Sequence, residues 1–474
     1  MTETPWPDAE LAKLAALADA PADAVIDALA TEVATRPRRD KTERTRQAIF
    51  PELLREVRRD TKDAEVHPQV EGFLLHGAAI NGVMDKDLVR HAQAFFGEHG
   101  VAIIAALFHA ALPEAYLGRR GVQVLDMTGE LVSNWTRRIQ DTGQFLINVM
   151  SPAPYLVRLD DSTSLSAGEF AAVAIRRVRL THAAVRWLMS GPDEETPGLE
   201  LLLAGASPGR PLTRWEVRMI KIGEEESSSL PASAAAEGEA AEAVPQAPRV
   251  TSRPLNQEDL LATLGTFTTV TFAALEKLAV PIDEHDREAF YHLWNVVAWH
   301  LGIGDAQTLG GIGRGRASAW PANNVLPLGV EEMNSLYHRL AQRLQGPTEQ
   351  GRRLAKTLVQ ELTFPLPRPL QGAPEFIVRY FIGDEHADDL DVGRGGYAEL
   401  LIRHTGALER AARRAPSSLV GRATFRPISQ LVTRYALRAF VAQSRGNDRG
   451  VAIARPIAGN WGVQMGSEVR APKS

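Results

Sequence analysis

The chain has 474 residues, 44% of them hydrophobic, a net charge of −5 and no cysteine. Such a composition belongs to a globular chain and not a disordered one, and the slight acidic excess argues against a nucleic-acid-binding surface. Without thiols there are no disulfides, no cysteine nucleophile and no thiolate-bound metal group. Any metal centre must use His, carboxylate, Tyr or Met, and twelve histidines are available.

Ala, Leu, Arg and Glu dominate and alternating β-branched runs are scarce, so helical periodicity is the main signal. The first sixty residues predict helices broken near Pro37 and Pro51. The basic run Arg36–Arg46 reads as a solvated turn and helix face. Further helices are predicted at 86–112, 131–150 and 166–190. The most apolar stretch, Val101–Leu112, is interrupted by His109 and falls short of the roughly 20 residues a bilayer requires, so no membrane span is expected. No basic, then apolar, leader is visible at the start. A soluble, cytoplasmic protein is therefore expected.

From 223 to 250 the chain turns acidic and rich in Ser, Ala and Pro, with too few large apolar side chains to offset the entropy of ordering. This predicts a flexible low-complexity insertion. Helices resume at 257–278, 284–302, 329–344, 348–361, 394–412 and 427–440. Because the helical character is the same on both sides, the expected architecture is all-α, a single large helical domain over 63–440. A helical extension over 1–62 precedes it and a tail over 441–474 follows. The glycine run Leu309–Arg316 follows no strand and so does not read as a phosphate-binding loop. HExxH and P-loop motifs are absent.

Two amphipathic stripes carry polar residues where apolar ones are expected. In the first, Ala171, Ile175, Val178, His182, Val185 and Met189 share one helix face, which directs His182 inward. An imidazole there is either a hydrogen-bonded core residue or a metal ligand. Arg179 and Arg186 lie one turn to either side, read as flanking the stripe on opposite sides. They could bind anionic groups of a cofactor, or pair with nearby carboxylates. In the second stripe, Leu131, Trp135, Arg138, Thr142, Phe145 and Val149 align, with Arg138 and Thr142 four apart on one face. A buried guanidinium needs an internal carboxylate or a function.

Weaker signals surround these two. Asn256 with Asp259 predicts a reciprocal helix cap, followed by Leu260, Leu264 and Phe267 facing inward. His285 and His292 are seven apart, too far to chelate one ion unaided. The run Asp384–Asp389, with His386, reads as a solvated turn.

Taken in chain order, five segments resemble the family of the latex-clearing proteins and the MpaB oxygenase. They are Arg138–Thr142, Arg177–Arg186, Leu255–Leu261 with Phe267, the Trp294 helix ending at Leu301-Gly302, and Ile377–Gly383 with Ala387-Asp388. The resemblance spans roughly 83–392. It implies a helical fold around b-type haem, with His182 as the axial iron ligand and Arg138 and Thr142 on the distal side. It also implies dioxygen as co-substrate, an apolar small-molecule substrate, and an electron donor as a partner. Two departures are visible. Asp141 stands where the rubber-cleaving members have lysine, and their upstream glutamate base has no secure counterpart, Glu130 being the nearest. These departures, and the missing leader, favour a small isoprenoid-like compound over a polymer. A haem enzyme using peroxide or redox-neutral chemistry, and a non-catalytic helical haem- or apolar-ligand-binding protein, remain the alternatives.

Overall fold

In the computed structural model, residues 6–36, 45–59, 67–75, 84–128, 135–150, 171–192, 212–229, 252–304, 326, 328–363, 368 and 371–396 are described; at 75, 135–141 and 223–229 this extends to the backbone alone. Among them every element is helical, and two isolated bridges, Gly118 with Gln345 and Pro192 with Thr213, are the extent of β pairing. The predicted all-α class holds.

Helices α1 (Asp8–Ala15), α2 (Ala20–Thr35), α3 (Arg46–Arg58) and α4 (Pro68–Leu75) open the chain. Asp19 caps α2, accepting from the Ala22 N–H at 3.4 Å, and Thr45 caps α3 in the same way. Then α5 (Lys86–Ala106), a π-turn at Leu107–Ala111 and α6 (Leu112–Tyr116) run as one continuous rod, followed by α7 (Gly121–Met127). This 31-residue rod passes the length and composition of a membrane span. The stretch Val101–Leu112 is thus part of a longer element than its apolar residues alone suggest. Yet 83% of the apolar window is buried inside the protein, as in the central helix of a bundle.

The two stripe helices follow as α8 (Trp135–Met150) and α9 (Ala171–Met189), then α10 (Arg214–Ser229). Helix α10 corrects the expected start of the insertion. Residues 223–229 continue the helix, because Trp215, Val217 and Ile220 anchor its first turns in apolar contacts and propagation needs little more. Residues 230–251 lie outside the described residues, as do the helices expected beyond 396 and the tail.

The next rod comprises α11 (Gln257–Gly265), a second π-turn at Thr266–Val270 and α12 (Thr271–Lys277). Threonine hydroxyls explain the widened turn: Thr268 donates to the Leu264 carbonyl at 2.9 Å and Thr271 to the Thr266 carbonyl, five residues back, at 3.0 Å. Helix α13 (Glu284–His300) begins at a reciprocal Asp283–Asp286 cap. It ends at Gly302, whose φ of +76° is the left-handed conformation glycine tolerates. Helices α14 (Val330–Leu344), α15 (Glu349–Thr363), α16 (Ala373–Ile382) and α17 (Asp384–Asp389) complete the order.

Two apolar cores share α9. The larger joins α5, both π-turns and α11–α16, and takes Ala171 and Ile175 from α9. The smaller joins α2, α3 and α4 to the opposite side of α9, through Val173, Leu180, Ala183, Ala184 and Leu188. The N-terminal helices are therefore packed directly on the His182 helix.

Candidate functional site

Helix α9 is the wall between the two cores, and its faces are unequal. The side against α2 and α3 is closed. On the stripe read from the sequence, Ala171, Ile175 and Met189 are buried at the ends, whereas Val178, His182 and Val185 in the middle are half-buried. An imidazole thus stands between two valines on a partly open apolar strip. Helix α8 packs against α9. On its own stripe Thr142 and Phe145 are half-buried and Val149 is buried. The helical backbone at 135–150 keeps Arg138 and Thr142 one turn apart on the same face; the side chains of Arg138 and Asp141 lie outside the described residues, as does Glu130.

Arg179 and Arg186 require a correction. Seven residues apart on a helix of about 100° per residue, they differ by only about 20° in direction, and so lie on the same side of the stripe. Both reach back to α2 and take the carboxylate pairing. Arg179 holds Asp19 with both ends of its fork, Nε to Oδ2 at 2.6 Å and Nη2 to Oδ1 at 2.7 Å, and its guanidinium also lies 5.4 Å from the Phe73 ring centre. Arg186 donates to Asp23 at 2.7 Å and to the Leu255 carbonyl at 3.4 Å. Their neighbours on α9 behave alike, with Arg176 donating to the Leu74 carbonyl at 2.9 Å and Arg177 to the Arg59 carbonyl. Burial, then repulsion from Arg179, pushes Arg176 down to about 10. The arginine-rich pattern of this segment fastens α9 to the N-terminal helices.

Other histidines sort by burial. His300, buried at the end of α13, is held well below the ordinary imidazole range by desolvation and by Arg176 and Arg179. His109, in the first π-turn, is fully buried. Its Nδ1 lies 2.9 Å from the Ala105 carbonyl, and burial pushes it down to about 4. His285 lies against His91 with ring centres 4.2 Å apart and planes tilted by 51°, and His292 Nε2 accepts the Asp85 N–H at 2.9 Å. His386 is more than part of a solvated turn: its Nδ1 meets the buried Glu114 carboxylate at 2.8 Å, which raises the imidazole. Among the described residues no three His, Asp or Glu converge to hold a metal ion.

The Asn256 cap forms as expected, accepting from the Asp259 N–H at 2.9 Å. The return contact differs, because Asp259 takes the Asn256 side-chain amide at 2.7 Å and also Arg120 at 2.8 Å. Glu258, fully buried, bridges Arg120 at 2.6 Å and Arg343 at 3.0 Å. Sequence reading missed Asp19, Asp23 and Glu258. Of these, Asp19 carried a local signal, an aspartate directly before the Ala20-Pro21 helix start.

Residues 236–413 match the catalytic-domain family of the ER-bound oxygenase mpaB/B' and rubber oxygenase. That segment begins after α9, so the residues on α8 and α9 lie outside it. A rubber oxygenase from Streptomyces sp. (strain K30) is 26% identical over 206 residues, 43% of this chain; the match spans 44% of that relative's length. The solved structure of a latex clearing protein in its closed state superposes with a TM-score of 0.52 over 89% of this chain and 90% of the other, at 18% identity, which establishes a shared fold. Residues 236–413 are thus similar to the mpaB and rubber-oxygenase catalytic-domain family, and the all-helical architecture is the fold of the latex clearing protein.

Proposed function

We propose that the chain is a b-type haem-dependent oxygenase acting on an apolar, isoprenoid-like small molecule. The observation that carries this reading is His182, half-buried between Val178 and Val185 at the centre of an apolar stripe. Axial ligation of haem requires one imidazole, and no cluster of protein ligands. The donor set fits on that point. Arg179 and Arg186, committed to Asp19 and Asp23, do not fit as partners of the propionates.

Haem supplies the binding and activation of dioxygen. The chain's own contribution is orientation, exclusion of water and fixed charge. His182 would hold the iron through a neutral imidazole. Arg138 and Thr142, one turn apart on α8, would provide a cation and a hydroxyl donor where negative charge develops. Phe145 and the valines of α9 would line an apolar surface for the substrate. Cleavage of a C=C bond by dioxygen leaves one oxygen on each of two new carbonyl groups and needs no external electrons. Hydroxylation would instead draw two electrons from a donor.

The absorption spectrum of the purified protein tests the reading. An intense Soret band at about one haem per chain is expected, and His182→Ala should lose most of it, since the sequence offers no thiolate in its place. A protein that stays colourless when haem is supplied, or a variant that keeps full occupancy and an unchanged spectrum, would remove His182 from this role.

A further inference from the structure

We infer that Asp19 and Asp23 form a two-point clamp that sets the direction of His182, which makes the first turn of α2 a positioning element of the functional site. The consequence for haem rests on the proposed function; the clamp itself rests on geometry.

Arg179 lies three residues before His182 and Arg186 four residues after it, on one side of α9. Each is tied to the same partner helix, to carboxylates four residues apart at its start. One tie would let α9 roll or slide about the contact. Two ties, one on each side of His182 along the axis, fix both motions, and with them the vector on which the imidazole is carried. The Arg179–Asp19 pair is largely desolvated, its side chains 11% and 2% exposed, and in the second pair Arg186 is buried at 5% while Asp23 is 27% exposed. In such surroundings a forked guanidinium–carboxylate contact is directional and stiff.

The far side of the clamp is also built for it. A Cβ on Gly302 would stand 2.5 Å from Arg179 Nε and 2.6 Å from Asp19 Oδ2, so the backbone at the end of α13 packs directly onto the ion pair. Gln257, fully buried, ties the two backbones together. Its amide donates to the Ala18 carbonyl at 3.1 Å and the Gly302 carbonyl at 3.0 Å, and accepts the Gly304 N–H at 2.9 Å. Its own N–H donates to the Leu17 carbonyl at 3.0 Å. The residues preceding Asp19 and the turn after α13 are thus joined around Arg179. Asp19 touches no reacting group; it acts through Arg179.

The test compares Asp19→Asn and Asp23→Asn in the full chain with Glu258→Gln, which removes a buried charge from the Arg120–Arg343 bridge, away from α9. In the haem-loaded ferrous protein the iron–histidine stretching mode reports the orientation of the imidazole. The aspartate variants should shift or broaden this band and speed haem loss about tenfold or more, while Glu258→Gln leaves the band in place even if it lowers stability. Hydrogen–deuterium exchange of the 179–186 amides without haem gives a second readout, in which the aspartate variants alone should lose protection about tenfold. If the wild type takes up no haem, the haem reading fails and the exchange measurement still decides the clamp. Unchanged protection at 179–186, or equal effects from all three variants, would overturn it.

Discussion

The fully buried His109 gives a prediction with a worked magnitude. Its Nδ1 is engaged by the Ala105 carbonyl and its surroundings are apolar, so protonation in the folded state is deferred to about pH 4. In the unfolded chain the same imidazole takes its proton near 6.5. Between these values the unfolded state binds one proton more than the folded state, so stability falls as pH falls. The contribution is fully present above pH 6.5, is lost progressively towards 4, and is level below that. At about 1.4 kcal/mol per tenfold in proton affinity, the loss amounts to roughly 3 kcal/mol. Solvent screening does not reduce this, because the ring is inaccessible. Urea unfolding at pH steps from 7.5 to 4, for wild type and His109→Gln, isolates the term from other titrating groups. Their stability difference should change by roughly 3 kcal/mol across the window, corresponding to one proton taken up on unfolding. A difference that stays constant with pH would refute the assignment, and would mean that the imidazole is solvated or already charged in the fold.

His386 should act with the opposite sign. Glu114 raises it above its unfolded value, so its contribution is present below pH 6.5 and lost as pH rises through the folded value; His386→Asn should cost stability in acid and not in alkali, measured by the same titration. Gly302→Ala should destabilise by at least ~1–2 kcal/mol from the left-handed backbone alone, and by more through overlap with the Arg179–Asp19 pair, read as a fall in urea midpoint. Arg138→Ala should keep haem and lower turnover roughly 100-fold, the scale for removing one preorganised donor. Thr142→Ala should cost less; equal carbon monoxide affinities in wild type and both variants would place neither residue beside the iron.

Much of the architecture was legible because helices are local. The 3.6-residue period located α5, α8, α9, α11–α12, α13, α14 and α15 within a few residues of their observed ends, and the Asn256 cap was legible from residues within one turn. The His182 stripe and the Arg138–Thr142 spacing are properties of one helix each, and the fold retains both. Periodicity did not give the two π-turns, since a single inserted residue barely disturbs an apolar pattern.

What the sequence by itself determined was the helical class, the element order and the placing of one histidine on an apolar face, because each depends on side chains within a few turns of one another. Only the tertiary structure decided what the arginines around that histidine do. Arg179 lies 160 residues from Asp19 and Arg186 lies 163 residues from Asp23, and no spacing rule relates a guanidinium to a carboxylate on another helix. A cation beside an imidazole on an apolar face reads equally well as a cofactor anchor or a helix fastener until the partner's position is known. Charge pairing acts through space, over a few ångströms, and it is the packing of α2 on α9 that brings those carboxylates within reach.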